Sequence, residues 1–353
     1  MEANDHGNQP LLRKRRIRYT GKNPRRFEEK YKELNPDQYK DDIVRIIGRG
    51  KTPAGMHRPI CVEEILKILD PKPGQKVLDA TLGYGGHACA ILDRILPGGC
   101  LWGIDVDPIE LRRTEERLRK LRFTNLEFKV KQLNFAGISK LLADADGGFD
   151  LIIADLGVSS MQLDDPARGF TFKKEGPLDL RLNPQRGEPC SVLLQSLTVD
   201  ELAKILYINA DLPNTSRIAA VICKDRHKIL TTTALAEAVR RAIPAASTDK
   251  QREEQTRTIR RVFQALRITV NNEFFVLEQF LQNLPSCLNP GGKAAILTFH
   301  SGEDSRVVQS FNEGLVQGIY TDMGRDPIRA TPQERYDNPR SKSAILRWVQ
   351  KRL

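Results

Sequence analysis

Nowhere in the 353 residues is there a run of about 18 apolar residues, and the N-terminus lacks the apolar stretch that opens a secretory signal. Both absences argue against a membrane span and lead us to expect a cytoplasmic protein. An organellar transit peptide fits poorly, because Glu2 and Asp5 interrupt the basic N-terminus and no serine accompanies them. The six cysteines, Cys61, Cys89, Cys100, Cys190, Cys223 and Cys287, include no C-x-x-C pair. A zinc knuckle, a redox motif and a disulfide framework are therefore not expected, and the thiols read as reduced and mostly buried. No glycine occurs between Gly187 and Gly291, which suits a helical stretch.

Positive charge is plentiful. The formal net charge is +11, and residues 1–56 hold 14 lysines and arginines against 8 acids. Leu11–Glu33 interleaves this charge with Tyr19, Phe27 and Tyr31, a composition able to meet phosphates and stack on bases, although it equally suits a solvated tail. A polyanion is the natural partner.

Apolar spacing predicts a helix over Val62–Leu69, stopped by Pro71, Pro73 and Gly74, and then a strand at Lys76–Asp79. A glycine turn and a short helix to Leu96 follow. Further strands are predicted at Cys100–Asp107, near Leu126–Val130 and at Phe149–Asp155, with a helix over Pro108–Leu121. This alternation implies a doubly wound, mostly parallel α/β sheet. Thr198–Glu201 has the form of a capping box, Thr233–Ala242 is amphipathic, and apolar residues from Ile259 to Leu284 step by three or four, predicting one long helix before a fifth strand at Lys293–His300. The expected organisation is a basic extension (1–55), a core (56–163 and 256–353) and an inserted helical subdomain (164–255) that selects substrate.

The turn Val77–Ala88, VLDATLGYGGHA, admits three ligands. Gly83-x-Gly85-x-x-Ala88 satisfies a dinucleotide pattern with Asp105 where a ribose-binding acid belongs, but that pattern is weak alone. A P-loop is excluded by the missing Gly-Lys-Ser/Thr. Asp79 ending strand one, the G-x-G turn and Asp105 ending strand two together resemble the class I S-adenosylmethionine-dependent methyltransferases. Gly83, Gly85 and Gly86 would let backbone approach the ligand, Asp105 would accept from both ribose hydroxyls, and Asp79 would lie near the cationic end. Either carboxylate alone could simply cap the next helix.

HRPICVEEIL, DATLGYGGH, DLGVSSMQLDDPARGFTF (Asp155–Phe172), GPLDLRL, FQALRITVNNE, GGKAAILTFHSGEDS and NPRSKSAILR follow one another along the chain. Together they resemble the successive signatures of the bacterial 16S ribosomal RNA cytosine-N4 methyltransferase family. The resemblance implies a Rossmann-like fold, S-adenosyl-L-methionine as cofactor, and a decoding-centre cytosine of small-subunit ribosomal RNA, free or assembled, as substrate. No metal, covalent intermediate or membrane partner is implied. Carried onto matching positions, the cofactor site comprises Gly85, Gly86, His87, Asp105, Phe135, Asp155 and Gln162. Phe135 would flank adenine, unless it is a core aromatic, and Gln162 would hold the amino-acid end, unless it is a loop amide.

Asp155 is the expected acceptor for the target amine, with Ser159 and Ser160 as helpers, although Leu156-Gly157-Val158 replaces the Pro-Pro-aromatic run of DNA amino-methyltransferases. Pro189-Cys190 lies too far past strand four to be the nucleophile of a carbon-5 methyltransferase. Arg168, Arg181, Arg267, Arg340 and Lys342 are candidate RNA contacts, as is His300 after strand five. There Gly302 stands for the family's leucine and Arg306 is displaced by one. Two rivals remain: a nicotinamide dehydrogenase, and a non-catalytic RNA-binding assembly factor, which would need no intact set of Asp79, Gly83, Gly85, Asp105 and Asp155.

Overall fold

The sheet of the computed structural model, which describes residues 59–121 and 127–353, is built on five parallel strands: β1 (Lys76–Asp79), β2 (Cys100–Asp105), β3 (Phe128–Gln132), β4 (Phe149–Asp155) and β5 (Leu288–Thr298). β6 (Tyr320–Met323) and β7 (Ile345–Lys351) extend it antiparallel, giving the order β3-β2-β1-β4-β5-β7-β6. The basic extension and its expected RNA contacts lie outside the described residues. Helix α1 (Val62–Leu69) precedes β1, and α2 (Gly86–Ile95) and α3 (Pro108–Leu121) connect the first three strands. Between β4 and β5 come α4 (Ser160–Asp164), α5 (Cys190–Ser196), α6 (Val199–Ala210), α7 (Thr215–Asp225), α8 (Thr232–Ala242), α9 (Asp249–Asn271) and α10 (Glu273–Cys287). α11 (Ser301–Val316) and α12 (Pro332–Asp337) complete the set. No described helix is long and apolar enough to cross a membrane.

Side chains alternate across a strand, so each buried strand feeds two cores. Leu78, Ile152, Ala154 and Ile296 pack with α10, α11 and the 3-10 turn Phe135–Leu141. Val77, Leu151, Ile153 and Leu297 pack with α1, α2 and α3 on the other face. A third core joins α5–α9 away from the sheet, centred on Leu202, Leu206, Ile222, Leu235, Val262 and Leu266. Ile259, Phe263 and Leu266 of α9 lie in that core, so α9 packs with the helical layer and not with the sheet core in which the sequence analysis had placed residues from 256 onward.

The long helix expected from Ile259 to Leu284 is in fact two. Asn272, at φ 50°, ends α9 and starts α10 in the left-handed conformation that asparagine tolerates best after glycine. The Asn271 side chain fixes the break, donating to Leu180 O at 2.8 Å and accepting from the Leu182 N–H at 2.8 Å. β2 stops at Asp105, two residues before the expected end, because Asp107 caps α3 by accepting from the Ile109 N–H at 2.9 Å. β5 likewise ends at Thr298, and His300 caps α11 through Nδ1, 3.3 Å from the Glu303 N–H.

Candidate active site

Strand order reverses between β1 and β4, which opens a crevice at their carboxyl ends. A cavity of about 1460 Å³ occupies it and continues under the helical layer to α9. Of the residues singled out from sequence, Gly83, Gly85, Gly86, His87, Asp105, Phe135, Asp155, Ser159, Ser160, Gln162, Arg267, His300 and Arg340 border this cavity. Asp79, Arg168, Arg181 and Lys342 do not.

The glycine turn is held by its neighbours. The Gly83 N–H donates to Asp105 Oδ2 at 2.8 Å, and the Thr114 hydroxyl donates to Gly83 O at 2.5 Å. Gly83 (φ 46°) and Gly85 (φ 69°) adopt a backbone that favours glycine. At Gly85 and Gly86 close packing adds a reason of its own. A Cβ on Gly85 would lie 2.9 Å from Thr114 Cγ2, and one on Gly86 would lie 2.8 Å from Pro59 Cγ. Close packing of the turn on its own protein requires them small. A Cβ on Gly83 would meet only Thr81 O, at an ordinary contact distance of 3.7 Å.

Three carboxyls gather at the strand ends. Asp105 accepts from the Gly83 and Asp107 N–H groups, at 2.8 and 2.9 Å, with one bond to each oxygen. A carboxylate has about four acceptor sites, so each oxygen keeps capacity for a ligand hydroxyl. Burial pushes Asp105 up to about 6 against those two N–H groups. Asp79 lies beneath the turn, 3% exposed, where it accepts from the Thr81 N–H at 3.1 Å. Burial lifts it to about 7, with His87 and that N–H pulling the other way. Asp155 borders the cavity with its side chain 31% exposed, and burial together with the Glu303 carboxylate lifts it to about 7. Thr81 joins the strands by accepting the Asp155 N–H at 2.6 Å. Sequence reasoning overlooked Thr81, since a threonine after a strand has no signature of its own.

His87 opens α2 and is buried, its neutral form favoured by burial. Nε2 lies 2.9 Å from Ile60 O, an atom that only accepts, so in the neutral ring that nitrogen carries the proton. Nδ1 is left as an acceptor, 3.8 Å from Asp155 Oδ2. Phe135 meets Phe280 edge-on, with ring centroids 5.2 Å apart, and borders the cavity on the side of α10. Ser159 and Gln162 form a capping box on α4. The Gln162 amide accepts from the Ser159 N–H at 2.9 Å and donates to Asp107 Oδ2 at 2.7 Å, so its polar atoms serve the scaffold.

Arg168, expected to touch RNA, is 9% exposed and lies outside the cavity. It donates to the fully buried Asp107 at 2.7 Å and to Leu182 O at 2.9 Å, tying the β2–α3 turn to the segment beneath the helical layer. Arg181 is held bidentately by Asp179, Arg267 by Glu273, and Arg340 by Asp164 at 2.9 Å. A cationic residue type in a motif cannot distinguish a ligand contact from an ion pair, and in the fold each of these four arginines meets an acid.

His300 borders the cavity with Nε2 3.2 Å from Glu303 Oε1, off the line of a hydrogen bond. Burial acts to raise Glu303, but His300, the Phe299 N–H at 2.7 Å and Arg267 outweigh it and hold its carboxyl below the usual range. Ligand atoms of Glu273, His300 and Glu303 come within 4.8 Å of one another, but Arg267 already engages Glu273. The departure at Gly302 has a steric account: a Cβ there would lie 2.6 Å from Phe274 Cζ. The displaced Arg306 stacks on that ring, 3.7 Å from its centroid.

Curated relatives align with nearly the whole chain. Ribosomal RNA small subunit methyltransferase H 2 of Alkaliphilus metalliredigens is 47% identical, covering 96% of this chain and 97% of the relative. Ribosomal RNA small subunit methyltransferase H 1 of Lachnoclostridium phytofermentans is 48% identical, covering 97% and 94%. Coverage this complete means that both share most of the basic segment before His57. The MraW methylase family model matches residues 54–352, and with the glycine turn, the strand-end carboxyls and the cavity already in view, the chain belongs to the MraW methylase family.

Proposed function

We propose that this protein transfers a methyl group from S-adenosylmethionine to the exocyclic N4 amine of a cytosine in small-subunit ribosomal RNA, the RNA for which its relatives are named, and that it works in the cytoplasm. The single observation that carries the chemistry is Asp155, a carboxyl lifted to about 7 at the cavity wall, with no lysine or arginine paired to it among the described residues.

The cavity suits the cofactor. Asp105 retains acceptor sites for a ribose diol, Phe135 offers a ring beside it, and Gly83 leaves the turn open. When bound, S-adenosylmethionine supplies an electrophilic methyl on a sulfonium. The lone pair of a cytosine amine is delocalised into the ring, so the amine must be held and drawn out of plane. Asp155 would accept from that N–H and take the proton as the N–C bond forms and the methyl–sulfur bond breaks, leaving the neutral thioether. The neutral His87 behind it adds no positive charge that would hold Asp155 ionised and weakly basic.

Calorimetric titration tests the cofactor: S-adenosylmethionine or its demethylated product should bind, and NAD should not. Tight NAD binding without sulfonium binding would return the dehydrogenase reading. Mass mapping of ribosomal RNA nucleosides from cells with and without the gene tests the substrate, the expected loss being one N4-methylated cytidine.

A further inference from the structure

α9 carries Arg260, Gln264, Arg267 and Asn271 at a spacing that keeps them on one helix face, and all four border the cavity. The inner end of this row is committed: Arg267 to Glu273, and Asn271 to Leu180 and Leu182. Its outer end is not. Arg260 is exposed and has no side-chain partner among the described residues, and it stands two helical turns, about 10 Å, from Arg267. A second such guanidinium borders the same cavity from a separate segment. Arg186 is exposed on the turn after Asn183, where its backbone N–H donates to Asn183 O at 3.2 Å and its side chain has no partner among the described residues.

The contrast with the other arginines gives this placement its meaning. Arg168, Arg181, Arg267 and Arg340 each meet a carboxylate at 2.7–2.9 Å. Arg186 and Arg260 are left without one on the wall of the cavity that Asp155 also borders. A base whose amine reaches Asp155 has left its stack, and its ribose and flanking phosphates trail outward along the cavity. The planar guanidinium fork matches the oxygens of a phosphodiester, which an ammonium meets only as a point charge.

We propose that Arg186 and Arg260 form a phosphate clamp that grips the single-stranded RNA flanking the inserted nucleotide. The clamp rests on the ribosomal RNA reading above and adds to it two contacts that no motif of the sequence marked. It holds the strand and leaves the transfer step to Asp155.

The test uses the full-length protein with R186A, R260A and the double variant, and with R217A on α7, away from the cavity, as a control for net charge. Binding of a fluorescent single-stranded RNA oligonucleotide is measured against salt, alongside methylation kinetics and calorimetry with S-adenosylmethionine. Each clamp variant should weaken RNA binding several-fold and lower the log–log salt slope by about 0.7. KM for RNA should rise while kcat at saturating RNA and cofactor affinity stay at wild-type values, and R217A should match wild type. A double variant with the wild-type salt slope and KM overturns the clamp. So does one that loses cofactor affinity or melts early, because the arginines would then be structural. Wild-type protein that binds S-adenosylmethionine but neither binds nor methylates RNA overturns the underlying reading and takes the clamp with it.

Discussion

On the strand-end wall, Asp79, Asp105 and Asp155 have no lysine or arginine at ion-pair distance among the described residues, and burial lifts all three. Beneath the helical layer, Arg168, Arg181 and Arg267 each sit 2.7–2.8 Å from a carboxylate. Both regions are rich in charged residues that the sequence marks alike, yet one leaves its charges uncompensated and the other cancels them. Uncompensated carboxyls at a cavity suit a cationic or hydrogen-bond-donating ligand. Internal ion pairs are architecture: removing one partner strands a buried charge, which costs far more than the pair contributes.

The largest break in this comparison comes at Asp155. Asp155→Asn keeps shape and an acceptor oxygen but removes the base, so turnover should fall about 10²–10⁴-fold while cofactor affinity holds. Turnover that recovers at saturating cofactor would make Asp155 a binding group only, and normal turnover would remove both roles. In the wild type, kcat/KM should rise with pH through about 7 as Asp155 loses its proton. That limb should disappear in the asparagine variant.

Next comes Arg168, where Arg168→Ala should cost about 3–5 kcal/mol of stability by leaving Asp107 buried and unpaired. Denaturant melts would read it, and a loss of RNA affinity at unchanged stability would restore Arg168 as a ligand contact. Asp105→Ala should weaken S-adenosylmethionine binding by roughly 1.5–3 kcal/mol for each ribose bond lost, as read by titration. Unchanged affinity would move the ribose elsewhere.

The smallest effect concerns Asp79 and depends on pH. Its folded value of about 7 lies above that of an unfolded aspartate, so between pH 4 and 7 the native state binds the extra proton. The contribution is therefore fully present below about pH 4 and is lost as pH rises through about 7. Asp79→Asn should be the more stable protein at pH 8 and should lose that advantage toward pH 4. An advantage that instead grew on acidification would mean that Asp79 is ionised and stabilised in the native fold.

Much of the fold was legible locally. The capping box at Thr198 and Glu201, the proline and glycine stops after Leu69, and the apolar runs of β1, β2 and β4 act over a few residues, so their signal survives in one dimension. The Asn271-Asn272 break was missed because apolar spacing continues across it, and the side-chain bonds that fix it reach to Leu180 and Leu182, 91 and 89 residues away. Of the site, the strand-end acids and the glycine turn were readable, since topology alone brings the carboxyl ends of β1, β2 and β4 together.

Side-chain partners follow a different rule. The DPAR sequence (Asp165–Arg168) presents Arg168 as a free cation, but its partner Asp107 lies 61 residues earlier and meets it only once the β2–α3 turn and the α4 loop are packed together. Arg186 and Arg260 carry no motif at all. Hydrophobic period, caps and turn residues depend on neighbours in the chain, so the order of strands and helices and the positions of Asp79, Asp105 and Asp155 at strand ends could be worked out from the residues alone. Ion pairing, the lift in a carboxyl's pKa and access to a cavity depend on distances in space between residues far apart in sequence. Which charges are cancelled and which face the cavity was therefore decided by the packing of the helical layer against the strand ends.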